Sequence, residues 1–195
     1  MRAYQEYITV NKGLIKTLPS HWDVVPIRYL FNEIYRYPTY SRIDYREKGV
    51  LKIKGKMLKP GGIIDLTVNP RFISNETSYR FPRTQLEEFD LVMSVRGTLG
   101  KIGLVTKELV GSNITANLMR LSPKKSLADS RYLVHLLESN DFEIMMDYVS
   151  NQTTIKTITV PNLVSIDLSI PPLLEQQLIA DFLDWKTAQI EHLIL

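Results

Sequence analysis

Residues 89–107 read FDLVMSVRGTLGKIGLVTK. An apolar run at 91–95, glycines at 97, 100 and 103, and a second apolar run at 102–105 predict a strand, a tight turn and a returning strand. The segment Gly97-Thr98-Leu99-Gly100-Lys101 invites a phosphate-loop reading. However, Val95 stands where such a loop needs its first glycine and Ile102 where it needs Ser or Thr, and the G-x-x-G-x-x-G spacing also misses the dinucleotide fingerprint. The turn is still able to present Arg96, Thr98 and Lys101 to an anion or a base edge.

Working outward, Thr84-Gln85-Leu86-Glu87 fits a capping box for one helical turn. On the other side, SNITANLMRLSP is a polar loop leading into a strand at 118–121. Further upstream, LPSHWDVVPIRYLF (18–31) reads as an entry segment in which Pro26 opens a short helix with Ile27, Leu30 and Phe31 on one face. Residues 35–60 interleave Arg36, Arg42, Arg46, Lys48, Lys52, Lys54, Lys56 and Lys59 with Tyr35, Tyr37, Tyr40 and Tyr45. Within them VLKIK alternates as a strand, which puts Lys52 and Lys54 on one face and Leu51 and Ile53 on the other. Downstream, Asp129 or Ser130 caps a helix carrying Leu133, Leu136 and Leu137. Ile144, Met145 and Tyr148 share a second helical face beyond the weak joint Ser139-Asn140. NQTTIKTITVPNLVSIDLSIPP reads as extended, with Ile166, Leu168 and Ile170 alternating. From Leu173, Ile179, Leu183, Lys186, Ile190 and Leu193 recur at the spacing of a coiled-coil seam.

The 195 residues contain no cysteine, are 44% hydrophobic and 23% charged, and carry a net charge of +3. A chain of this length buries about 70% of its unfolded surface, enough for one core without disulfides. The start, MRAYQEYITVNKG, has no apolar signal core, and no stretch approaches the roughly 18 apolar residues of a membrane span, so a cytoplasmic location without membrane contact is expected. The charge is unevenly spread. Residues 1–60 hold twelve Lys/Arg against five Asp/Glu, residues 61–125 nine against six, and residues 126–195 three against ten. A basic first part suits a polyphosphate partner, and an acidic last third suits a protein.

Catalytic constellations are missing. Clustered carboxylates with a nearby lysine, as in a Glu-x-Lys nuclease motif, do not occur; Asp65, Glu76 and Asp90 have no partner spacing; and His21, His135 and His192 lie singly on the edges of apolar segments. Ile170-Pro171-Pro172-Leu173 has the outline of the Asn/Asp-Pro-Pro-Tyr loop of amino-methyltransferases, but both chemical positions are apolar, so the prolines read as a strand–helix boundary. No catalytic residue, metal site or cofactor is expected. A stand-alone nuclease or methyltransferase and a pure protein-interaction module remain the alternatives to DNA recognition.

LPSHWDVVPIRYLF, FDLVMSVRGTLGKIGLV, SNITANLMRLSP and SNQTTIKTITVPNLVSIDLSIPPLLEQQLIADFL, with the seam after them, resemble in order one target recognition domain and the following helix of a type I restriction-modification specificity subunit. Its most specific part is the block 152–183; residues 35–79 match no fixed motif. The resemblance implies a non-catalytic reader of double-stranded DNA. Such subunits usually carry two recognition domains joined by two long packed helices. They recruit methyltransferase subunits, which bind S-adenosylmethionine, and translocating nuclease subunits, which use ATP. The expected fold is α+β, a twisted, mostly antiparallel sheet with flanking helices over 1–172, followed by a projecting helix from 173 to 195. One domain and a short helix point to a half-subunit that pairs with a second copy or recognition domain, or to an excised fragment, which the abrupt LIL ending favours. On this reading Lys52, Lys54 and Lys56 hold phosphates and Arg96, Thr98 and Asn117 lie nearest base edges. Arg36, Tyr40, Arg42, Lys101, Asn113, Gln152 and Lys156 complete the expected DNA face, and Ile179, Leu183, Ile190 and Leu193 form the assembly stripe.

Overall fold

The computed structural model describes residues 4, 6–37, 45–150 and 156–194. The strand at Leu91–Ser94 returns at Ile102–Leu104 with Met93 opposite Ile102. Arg96-to-Lys101 makes the turn with Gly97 and Gly100 at φ of +83° and +75°, a region that admits glycine without the Cβ penalty. Leu118–Pro123 pairs antiparallel with the far side of Leu91–Ser94, and Phe31–Arg36 adds the fourth strand. The sheet is buried on both faces. Leu91, Met93 and Met119 enter one core with Leu133, Leu137, Phe142 and Ala180, whereas Val92 and Leu118 enter a second with Ile53, Met57, Leu58 and Ile114. Period-two alternation thus joins two cores through one strand.

The expected single sheet resolves into one four-stranded, one three-stranded and three two-stranded sheets among the described residues. All pairings of these sheets are antiparallel except Asn113–Ile114 alongside Val50–Ile53, so the architecture is mixed and mostly antiparallel as anticipated. Asp167–Ile170 pairs with Asp23–Pro26 and turns Leu168 and Ile170 inward.

Helices α1 (Asn75–Arg80), α2 (Ser130–Leu137), α3 (Asn140–Val149), α4 (Val160–Val164) and α5 (Leu173–Ile194) complete the described elements. Asp129 caps α2 by accepting from the amides of Arg131 and Tyr132, and Ser139 breaks the chain and caps α3. Three local expectations are corrected. After Thr84 the chain is extended rather than helical, because the Thr84 hydroxyl turns back to the Phe81 carbonyl and Gln85 bridges to Asn113. The buried face of α3 is Phe142 and Met146, while Ile144 and Tyr148 are exposed. The β-branched run before the 167 strand contains α4, opened by the Thr159 cap and by Pro161 in the first turn, where its missing amide costs nothing.

The expected division after residue 172 does not coincide with a packing boundary. Gln176 and Ala180 of α5 are fully buried, and the Gln176 amide donates to the Leu127 and Pro171 carbonyls while its oxygen accepts from the Asp129 amide. Arg131 and His135 of α2 then reach Asp181 and Asp184 at 2.7 Å each. Ile179 packs on the core and Leu183 is half-buried; from Asp184 onward the described side chains are exposed. The stripe left open is Leu174, Leu178, Phe182 and Trp185, with Ile190 and Leu193 beyond it.

Candidate nucleic-acid interface

The 97–101 turn forms the wall between two clefts. The first, about 460 Å³, is lined on its far side by α2–α3 and mixes signs, with Lys59, Lys101 and Lys156 against Glu138, Glu143 and Asp147. The second, about 550 Å³, is lined by Tyr45, Lys52, Lys54, Gly55, Lys56, Ser94, Arg96, Thr98, Lys101, Thr115, Ala116 and Asn117. Among the described residues it contains five cations and no carboxylate.

The local fold explains the convergence. Val95 donates its amide to the Asn117 carbonyl, which ties the start of the turn to the polar loop before Leu118. Ser94 Oγ donates to the Thr98 carbonyl at 2.7 Å and accepts from the Lys101 amide at 2.9 Å, bracing the turn from within. Arg96, Thr98, Lys101 and Asn117 are therefore exposed on a rigid base. Opposite them, Lys54 donates to the Asn69 carbonyl at 2.6 Å and Lys56 is exposed. The charges crowd one another. Lys54 is held below the ordinary lysine range by burial and by neighbouring Arg71 and Lys56, and Arg36 below its ordinary range by burial and by Arg96. An anion entering the cleft relieves that repulsion.

The family described as the type I restriction modification DNA specificity domain matches residues 19–194. The chain belongs to this family. It is 26% identical over 194 residues to the type I restriction enzyme MjaVIII specificity subunit of Methanocaldococcus jannaschii, covering 97% of this chain and 44% of that protein. It is also 26% identical over 115 residues to the type I restriction enzyme EcoBI specificity subunit of Escherichia coli, covering 59% and 24%. The crystal structure of the HsdS subunit from Thermoanaerobacter tengcongensis shares the fold at a TM-score of 0.69 and 18% identity, over 93% of this chain and 45% of that one. A structure titled for the complex assembly and conformational transition of the type I R-M system does so at 0.67 and 22%, over 90% and 40%. This specificity domain spans less than half the length of these relatives.

Of the expected site residues, Lys52, Lys54, Lys56, Arg96, Thr98, Lys101 and Asn117 line this cationic cleft, and Arg36 stands beside Arg96, donating to the Ala116 carbonyl at 3.4 Å. Tyr40, Arg42 and Gln152 lie outside the described residues. Two placements are corrected. Lys52 is not on an open strand face: its strand is central in a three-stranded sheet, and the residue is 0% exposed, with Nζ 3.8 Å from the Tyr37 ring centroid. Asn113 is fully buried, donating to Thr84 at 2.6 Å and accepting from Ser78 at 2.7 Å, so both ends of its amide are already used within the fold. Lys156 is exposed but ion-paired with Asp147 at 3.0 Å, in the mixed cleft. Sequence reading missed Tyr45, Ser94 and Thr115; the signal available for Ser94 was a lone hydroxyl within the otherwise apolar strand LVMSV.

His21 and His135 are held by Glu175 and Asp184. Among the described residues no cluster of three or more Asp, Glu or His is placed to hold a metal ion, and no helix is long and apolar enough to cross a membrane.

Proposed function

We propose that this chain is a non-catalytic module that reads the sequence of double-stranded DNA for a type I restriction-modification complex, one half of a bipartite target per domain. The observation that carries this reading is the cleft whose described lining holds five cations and no carboxylate, built by residues 94–101 and 115–117 opposite residues 45–56. Half-exposed Lys54 and exposed Lys56 and Lys101 hold backbone phosphates, which positions the duplex, and Arg96, Thr98 and Asn117 on the braced turn face base edges. A salt titration of duplex binding tests it: log K is expected to fall linearly with log salt. Affinity independent of salt removes DNA as the partner and leaves a protein-interaction module.

Arg96 is the candidate with the sharpest chemistry, since a guanidinium can grip guanine O6 and N7 together, worth about 1–3 kcal/mol of discrimination. Asp90, the carboxylate near it in the sequence that could pair with it instead, is engaged by Arg120 at 2.6 Å. Arg96→Ala is expected to relax preference at one base position in a selection from randomised duplexes. Uniform weakening on all sequences makes it a phosphate contact instead.

The acidic side of the domain and the open stripe of α5 are the surfaces for assembly, with methyltransferase and nuclease subunits and with a second recognition domain or second copy. Leu174, Leu178, Phe182 and Trp185 form a continuous exposed apolar strip, and such a strip on a helix is a pairing surface. Sedimentation across a concentration series is expected to show association that Leu178→Glu abolishes without lowering the melting temperature. A wild-type chain monomeric at every concentration contradicts the assembly role of the strip.

A further inference from the structure

Lys52 Nζ is buried and has no hydrogen-bond partner, the single side-chain atom in that state among the described residues. An ammonium carries three donors and no acceptor capacity, and leaving them unmatched in a low-dielectric site is strongly unfavourable. The Tyr37 ring face, 3.8 Å away, offers quadrupolar attraction but no lone pair. Among the described residues nothing in the lining of the cleft supplies a negative charge: Lys54, Lys56, Arg96 and Lys101 surround it, and its polar neutral groups are Tyr45, Ser94, Thr98, Thr115 and Asn117. Ser94 Oγ is already committed to the turn. An acceptor supplied from outside the fold would match the Lys52 donors, and a ring of cations selects an anionic one.

We infer that the cleft is an open seat for one phosphate oxyanion, a phosphodiester of the bound strand, drawn to its floor by the Lys52 ammonium, with Lys54, Lys56 and Lys101 at the rim facing the phosphates that flank it. This rests on the DNA-reading assignment and adds to it the identity of the group that enters the cleft. Shape favours a phosphate over a base edge: in a duplex the base edges lie recessed between the backbones, so a recessed floor meets the protruding phosphates. The volume, about 550 Å³, leaves room for the sugars flanking that phosphate. Burial pushes the Lys52 pKa down to about 8, the mark of a cation with no counter-charge in the free protein.

Lys52→Met keeps the stem and removes the charge. Opposite effects are expected in the free and bound protein: a higher urea midpoint without DNA, because an unmatched buried charge is gone, and affinity lower by about ten-fold or more on every duplex alike, with the slope of log K against log salt flattened by about 0.9. A scan of single uncharged methylphosphonates along one duplex adds a test that does not depend on the variant folding. One position is expected to cost the wild type about ten-fold and to cost Lys52→Met nothing.

Inorganic phosphate alone distinguishes the source: if it raises the wild-type melting temperature through Lys52 while no methylphosphonate position has an effect, the seat serves free phosphate and the assignment to the strand is overturned. A variant with unchanged slope and affinity, or one with altered base preference at unchanged slope, also overturns the inference and leaves DNA reading intact. Absence of any salt-dependent duplex binding by the wild type overturns both.

Discussion

Asp90→Ala is expected to destabilise the fold by about 3–5 kcal/mol, the cost of taking from a buried charge its buried partner and leaving it only more exposed carboxylates. Arg120 lies on the central Leu118–Pro123 strand with its side chain 6% exposed, and Asp90 is 3% exposed. Arg120 Nε donates to Asp90 Oδ2 at 2.6 Å, its Nη2 to Glu87 at 2.9 Å, and Nη1 lies 3.6 Å from Glu33. Burial works against the Arg120 charge, but Asp90 and Glu87 outweigh it and raise its pKa. The Asp90 oxygen also accepts from the Glu87 amide at 2.8 Å, so the substitution orphans two donors. Glu87, whose side chain is 77% exposed, is the control: Glu87→Ala is expected to cost about 0–1 kcal/mol. Urea unfolding of the two variants checks the contrast, and equal losses would show that Asp90 is no more than a surface pair.

The second large effect is on binding. Replacing Lys54, Lys56 and Lys101 together with alanine removes three exposed or half-exposed cations of the cleft rim and leaves both cores untouched. If each neutralises one phosphate, the slope of log K against log salt flattens by about 2.7. Between 50 and 200 mM salt the wild type is then expected to lose about forty-fold more affinity than the variant. The order of preference among duplexes stays the same, because phosphate contacts carry no sequence information. A reordered preference would place these lysines on base edges, and an unchanged slope would remove them from the interface.

Much of the fold was legible where local pattern and tertiary context agree. The 89–107 hairpin announces itself by glycines that the turn needs at positive φ, the Asp129 cap by its place before an apolar run, and the 166–170 alternation by a strand with one buried face. Alternation presumes that one face of Val50–Ile53 is open, whereas the face that carries Lys52 is covered, with the buried Tyr37 ring against the Lys52 ammonium. Asn113 looked like a loop reader because no local signal marks its partners Ser78 and Thr84, which lie 35 and 29 residues away. In the α5 seam, Ile179 and Leu183 share a face that packs toward α2 and the core, whereas Ile190 and Leu193 are exposed beyond Leu174, Leu178, Phe182 and Trp185; only three-dimensional packing tells which stripe of an apolar helix is left over. The cleft was legible as a set of residue types in the right segments. That they face one another across one space depends on the pairing of Asn113–Ile114 with Val50–Ile53, which no short-range pattern encodes.

The central claim is that this domain reads DNA sequence. Selection of bound duplexes from a fully randomised pool by the purified chain, at fixed salt, tests it most directly. Enrichment of one short run of bases, with each mismatch in it costing about 1–3 kcal/mol, is the predicted result; a recovered pool as random as the starting one, from protein that binds duplex tightly, would contradict it.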